Sequence, residues 1–89
     1  MMEDLTQYPN IGQVLAEKLT TAGITSLDEL TAVGSIEAML KMGETNLSAS
    51  ANMLFALEGA IQGVRWHELP KPERQSLWND FKDAVQQAF

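Results

Sequence analysis

Glycine and proline divide this chain of 89 residues into short segments, and apolar residues recur at helical spacing within each segment. The sequence shows no sustained alternation of apolar and polar residues, which would indicate β-strands. Glycine stops helices because it adopts left-handed backbone easily, and four glycines stand at predicted helix ends: Gly23, Gly34, Gly43 and Gly63. The pattern therefore predicts an all-α bundle of five or six short helices, forming a single domain over residues 1–89.

Six helical segments are predicted, at about residues 2–8, 11–22, 26–33, 36–42, 48–63 and 72–88. Ser26 and Glu29 have the spacing of a capping box, Ser48 is the expected cap of the fifth helix, and Pro72 suits the first turn of the last. In the second segment a single buried stripe is expected, consisting of Ile11, Val14, Leu15, Leu19 and Ala22. The fifth segment is the longest apolar one and is predicted to be the central helix.

The net charge of the chain is −6, with six basic and twelve acidic residues. The basic residues are scattered along the sequence and form no run. Nonspecific binding of nucleic acid draws its affinity from lysine and arginine on phosphates, so this charge works against it.

Several chemistries are excluded by composition. The chain contains no cysteine, which rules out disulfides, thiolate nucleophiles and Cys-ligated zinc, and a single histidine, His67, does not make a His-rich metal site. No catalytic group, cofactor or small-molecule substrate is indicated. No apolar stretch is long enough to span a bilayer and the N-terminus is acidic, so we expect a cytoplasmic protein that does not bind membranes.

A tight turn, PNIG at residues 9–12, directly precedes the second predicted helix. Asparagine tolerates left-handed backbone, and glycine lets an anion approach the backbone because it carries no Cβ. The start of the helix adds unpaired N–H donors and a partial positive charge. The alternatives are a purely structural corner and a phosphate-binding hairpin made of Asn10, Ile11, Gly12 and Lys18.

Four stretches of the chain stand in the order found in a known family: PNIG at 9–12, AGI at 22–24, LFALEGA at 54–60, and Trp66 followed by Leu69-Pro70. Over about residues 5–78 the chain resembles the C-terminal domain of the TfoX/Sxy family, regulators of competence for DNA uptake. The resemblance implies a helix-hairpin-helix-like module, linked to competence or transcription, without a catalytic motif. Two-domain members carry a further domain, and we expect the C-terminal-like domain alone here, extended by a helical segment at 79–89.

Glu58 falls inside the apolar sector of the fifth segment, close to Leu54 and Ile61 on a helical projection. A buried carboxylate must be paired or hydrogen-bonded. The candidate partners are Arg65, His67, the indole N–H of Trp66 or free N–H groups at a helix start. We predict a structural polar anchor involving Glu58, Arg65 and Trp66. The basic and aromatic residues at 65–67 also allow stacking on a nucleotide or peptide, with a lid over the core as the alternative.

The last helix carries a large apolar stripe for so short a chain: Leu77, Trp78, Phe81, Val85 and Phe89. It either completes the core or is partly exposed as a partner surface, for self-association as a homodimer or for another protein. We therefore favour a non-catalytic protein-interaction module. The alternative is a DNA-binding module that contacts phosphates through the hairpin at 9–12.

Overall fold

The computed structural model describes residues 3–48 and 50–88 and contains four α-helices in these ranges. They are α1 (Gln13–Thr21), α2 (Leu27–Lys41), α3 (Ala51–Gln62) and α4 (Lys71–Ala88). Two single turns of 3-10 helix, Leu5–Gln7 and Trp66–Glu68, precede α1 and α4. All regular structure in the described residues is helical, which confirms the all-α prediction.

The predicted number of five or six helices is wrong. The segments predicted at 26–33 and 36–42 belong to one helix, α2, and the segment predicted at 2–8 is reduced to one 3-10 turn. Gly34 interrupts α2 with φ 84° and ψ 162°, a conformation that is essentially restricted to glycine. Helical backbone stops at Gly34 and resumes at the next residue, so the predicted boundary at Gly34 is a kink between the two helical halves of α2.

The predicted helix starts are correct in part. At the start of α2 the hydroxyl of Ser26 accepts the backbone N–H of Glu29 at 3.1 Å, as the capping-box spacing predicts. The predicted cap Ser48 is wrong, because the N-cap position of α3 lies two residues later, at Ser50. Pro72 lies in the first turn of α4, which begins at Lys71 and not at residue 72.

The start of α1 also differs from the prediction. This helix begins at Gln13. Ile11 therefore lies in the turn before the helix, and its side chain is buried there. Leu15 and Leu19 bury one face of α1, whereas Val14 is 66% exposed and does not belong to the predicted buried stripe. The prediction failed because it counted helical spacing from a residue that is not helical.

Helix α3 is the central helix, as predicted. It contacts both α2 and α4, and its Leu54 and Leu57 are fully buried. Leu30 and Met39 of α2 and Phe81 of α4 complete the centre of the core. Within residues 3–48 and 50–88, no helix has the length and apolar character needed to cross a membrane.

Glu3 attaches the N-terminal segment to the start of α2. Its carboxylate accepts the hydroxyl of Tyr8 at 2.6 Å and the backbone N–H of Leu27 at 2.7 Å, and its own N–H donates to the Thr25 carbonyl at 2.9 Å. The bond from Tyr8, and then the bond from Leu27, lower the pKa of Glu3 below its usual value. The same contact raises the pKa of Tyr8.

Candidate functional site

Asn10 ties the turn at 9–12 to the end of α3. Its backbone is left-handed, with φ 70°. The side-chain Nδ2 donates to the carbonyl oxygen of Val64 at 2.9 Å and to that of Ala56 at 3.4 Å, and Oδ1 accepts the backbone N–H of Trp66 at 3.1 Å. Both amide N–H groups are therefore committed to backbone groups that lie 46 and 54 residues away in the sequence.

Gly59 of α3 makes room for this bridge. A Cβ at position 59 would lie 2.5 Å from Nδ2 of Asn10 and 2.8 Å from the carbonyl oxygen of Val64. Such contacts are too short for any side chain, so glycine is required here for close packing. Gly59 was not singled out from the sequence; its place inside an apolar helical segment, where glycine is unfavourable, was the available signal.

The start of α1 is the part of the hairpin that faces solvent. Gly12 is its N-cap residue, no side chain caps the first N–H groups, and Gly12 and Gln13 are exposed. An open groove of about 730 Å³ lies between the turn and the loop after α3, and Arg65 is among its lining residues. The exposed N–H groups are suited to an anion in the manner of other helix starts.

The other predicted hairpin residues take part in internal contacts. Ile11 is 4% exposed and belongs to the core. The Lys18 ammonium forms an ion pair with the Glu44 carboxylate. The structure therefore brings Asn10, Ile11 and Gly12 together at the turn, but of the four predicted residues Gly12 alone is exposed.

The apolar stripe of the last helix is turned largely toward the core. Phe81 is fully buried, and Leu77, Trp78 and Val85 are half-buried against the same core. Phe89, the fifth residue of the predicted stripe, lies outside the described residues.

Glu58 links α3 to α2. One carboxylate oxygen accepts the hydroxyl of Ser35 at 2.7 Å, and the other accepts the side-chain amide of Gln62 at 2.8 Å. Ser35 is 3% exposed and directly follows the break in α2. Arg65 forms no ion pair with Glu58 in the described part of the chain. The left-handed Gly63 ends α3 before Arg65, so helical spacing does not extend to it.

Trp66 is the centre of an aromatic cluster. Its indole stacks on the ring of His67 at a centroid distance of 4.1 Å and on Phe55 at 6.1 Å. The guanidinium of Arg74 lies 5.8 Å from the centroid of the indole, within the range of a cation–π contact. Of the predicted basic and aromatic residues, Trp66 and His67 thus come together, with Arg74 as a member that the sequence analysis missed.

A second groove, of about 430 Å³, lies between the start of α3 and the first two turns of α4. We call it the α3–α4 groove, and it is lined by Ala51, Phe55, Lys71, Arg74, Gln75 and Trp78. The lining contains two cations and no carboxylate. The acidic Glu73 and Asp80 of α4 line a separate depression instead. The signal in the sequence was the i, i+3, i+7 spacing that places Lys71 and Arg74 on the same face of α4 as Trp78.

Residues 3–48 and 50–88 contain no group of three His, Cys, Asp or Glu side chains close enough together to share a metal ion. The two grooves are candidate binding surfaces.

The family model described as the TfoX C-terminal domain matches residues 1–81. The chain belongs to this family. Protein Sxy of Escherichia coli K12 is 34% identical over 80 residues, and the DNA transformation protein TfoX1 of Aliivibrio fischeri is 27% identical over 74 residues. These matches cover 88% and 82% of the chain, but only 38% and 35% of the two relatives, so the similarity concerns one part of each.

Two crystal structures from Listeria monocytogenes share the fold of this TfoX C-terminal domain. An uncharacterized protein in a triclinic form has a TM-score of 0.79 at 43% identity, covering 92% of each chain. A protein of unknown function in a tetragonal form has a TM-score of 0.77 at 42% identity, covering 90% of this chain and 98% of that one.

Three of the stretches that carry the resemblance to TfoX and Sxy meet at one place. Asn10 comes from PNIG, Ala56 and Gly59 come from LFALEGA, and Trp66 begins the last stretch. The contact between them joins the hairpin to the C-terminal end of α3. In this chain the three stretches therefore form a structural junction, and the side chain of Asn10 is engaged there inside the fold.

Proposed function

We propose that this chain is a regulatory module without enzymatic activity that acts by binding another protein at the α3–α4 groove. The observation that carries the proposal is the composition of that groove, which joins aromatic side chains to two cations on a chain with a net charge of −6. Aromatic residues and arginine are enriched where proteins bind one another.

The likeness to Sxy and to a DNA transformation protein supports a role in regulating DNA uptake. The hairpin supports this role less directly, because its asparagine amide and its lysine are engaged within the fold. An acidic module that meets a protein partner fits the charge better than one that meets a phosphate backbone.

The test is gene replacement in the organism that carries the chain. Lys71→Glu reverses an exposed cation of the groove, and Lys41→Glu makes the same charge change at an exposed residue outside it. We expect Lys71→Glu to lower the frequency of DNA transformation to that of the deletion, at normal protein level, while Lys41→Glu leaves it unchanged. Equal effects of the two variants, or none from either, would reject the proposal.

DNA binding through the hairpin is the second candidate function, favoured by the uncapped and exposed start of α1. Gly12→Glu tests it cleanly, because Gly12 has φ −89° and a Cβ there would meet no atom within 4 Å. We would titrate labelled duplex and single-stranded DNA at low salt and follow fluorescence anisotropy. Salt-sensitive binding that Gly12→Glu abolishes would support this candidate, and absence of binding at high protein concentration would reject it.

A second copy of the chain is an alternative occupant of the α3–α4 groove. Sedimentation equilibrium of the wild type and of Lys71→Glu distinguishes this case. A dimer that the variant dissociates would make the protein partner the chain itself, whereas a monomer for both leaves a different protein as the partner.

A further inference from the structure

We infer that the α3–α4 groove takes an acidic peptide segment in which an apolar side chain is flanked by carboxylates. The inference rests on the proposed function and adds the chemistry of the partner.

The walls of the groove supply the first argument. Phe55 and Trp78 provide apolar surface on its two sides, one from each helix. Lys71 and Arg74 stand beside them, and in residues 3–48 and 50–88 neither cation forms an ion pair. An apolar surface next to unpaired cations is complementary to an apolar side chain next to carboxylates.

The second argument is an unsatisfied donor. The Nε atom of Arg74 is buried and has no hydrogen-bond partner among the described residues. A buried donor without an acceptor is unfavourable. We assign the missing acceptor to a carboxylate of the bound peptide, because Arg74 lines the groove and arginine binds carboxylates in a bidentate manner that uses such a nitrogen.

Two helix starts reinforce the positive potential. Ala51 is the first residue of α3 and Lys71 is the first residue of α4, and both line the groove. The hydroxyl of Ser50 donates to the Asn46 carbonyl at 2.6 Å and does not cap α3. The partial positive charges of both helices therefore add to those of the two side chains.

The aromatic contacts favour a peptide over nucleic acid. Bases stack on free aromatic faces. The indole of Trp66 already stacks with His67 and has Arg74 over its ring, and Trp78 is tilted against Phe81 at a centroid distance of 5.7 Å. The groove is also small, at about 430 Å³, and the rest of this acidic chain repels a polyanion that extends beyond it.

The experiment is fluorescence anisotropy with the whole chain and a short fluorescein-labelled peptide that carries one leucine between aspartates and glutamates. Three matched probes accompany it: the peptide with amides in place of the carboxylates, the peptide with serine in place of the leucine, and a single-stranded oligonucleotide of similar charge. The protein variants are Lys71→Glu, Arg74→Gln and the control Lys41→Glu.

We expect the acidic leucine peptide to bind and the other three probes to bind at least about tenfold more weakly. Lys71→Glu and Arg74→Gln should each weaken binding of the acidic leucine peptide by about tenfold, and Lys41→Glu should leave it unchanged. Equal binding of the amide peptide, a loss with Lys41→Glu equal to that with Lys71→Glu, or binding of the oligonucleotide alone would overturn the inference. If the peptide fails while Lys71→Glu still abolishes regulation in cells, the partner chemistry is wrong and the proposed function stands.

Discussion

Replacement of Asn10 tests whether the hairpin turn is held by its side chain. Asn10→Ala removes three hydrogen bonds: the long one to the Ala56 carbonyl and two shorter ones, to the Val64 carbonyl and from the Trp66 N–H. The two shorter bonds each contribute about 1 kcal/mol net. It also places alanine at φ 70°, which costs about 1 kcal/mol more than asparagine. We therefore expect the free energy of unfolding to fall by about 3 kcal/mol, and the Tm by roughly 12–24 °C for a chain of this size.

Asn10→Asp is the matched control for the direction of the hydrogen bonds. Aspartate has the same shape, tolerates left-handed backbone and keeps an oxygen for the Trp66 N–H. It places a carboxylate oxygen against the Val64 carbonyl, where the amide donates at 2.9 Å. We expect Asn10→Asp to be at least as destabilising as Asn10→Ala near neutral pH.

Urea denaturation followed by tryptophan fluorescence and by circular dichroism measures both variants. The structural account of the turn would be refuted if Asn10→Asp stayed within about 0.5 kcal/mol of the wild type, a value typical of surface substitutions. That outcome would mean that Asn10 contributes only its backbone conformation.

Three further predictions concern the same fold. Gly59→Ala should lower stability in urea by about 2 kcal/mol through overpacking against Asn10, although alanine is favoured in helices; an unchanged midpoint would contradict the crowding. Gly34→Ala should cost about 2 kcal/mol in thermal melts through backbone strain alone, because a Cβ there meets no atom within 4 Å, while Gly12→Ala at negative φ should be nearly neutral. The folded-state pKa of Glu3 is lowered, so its contribution is present above its ordinary pKa of 4.5 and lost as the pH falls through the folded value. Glu3→Gln should therefore weaken the dependence of the free energy of unfolding on pH in this acidic range. An unchanged dependence in the variant would contradict the role of Glu3.

The helices were largely predictable because their signals are local. Apolar spacing placed α3 and α4, and the capping box placed the start of α2. The errors came where one residue decides between ending a helix and interrupting it. Gly34 and Gly63 look alike in the sequence, because each follows an apolar helical segment. In the structure, however, helical backbone resumes after Gly34 and ends at Gly63.

Only the backbone conformation of Asn10 was predictable from the sequence. A left-handed asparagine follows from PNIG, but its side chain bonds to residues 46 and more positions away, and no local pattern contains that contact. The same holds for Glu58, whose position in an apolar sector indicated a partner but did not identify Ser35 across the break in α2. The spacing of apolar residues predicts which face of a helix is buried, but it does not identify the residues that pack against that face.

The last helix shows the corresponding limit for binding surfaces. Its apolar period predicted a buried face, and Phe81 is indeed buried by the chain itself. The spacing of the apolar residues does not tell whether that face is covered by the chain's own core or by a partner. The α3–α4 groove was missed because one of its walls comes from α3, whose Phe55 is remote in the sequence from Lys71 and Arg74.

Site-specific photo-crosslinking in living cells tests the central claim most directly. A photoreactive amino acid replaces either Gln75, an exposed residue of the α3–α4 groove, or Gln13, an exposed residue beside the hairpin turn. We predict a discrete protein adduct from position 75 that Lys71→Glu removes, and no adduct from position 13. A DNA adduct from position 13, with no adduct from position 75, would contradict the account and assign function to the hairpin.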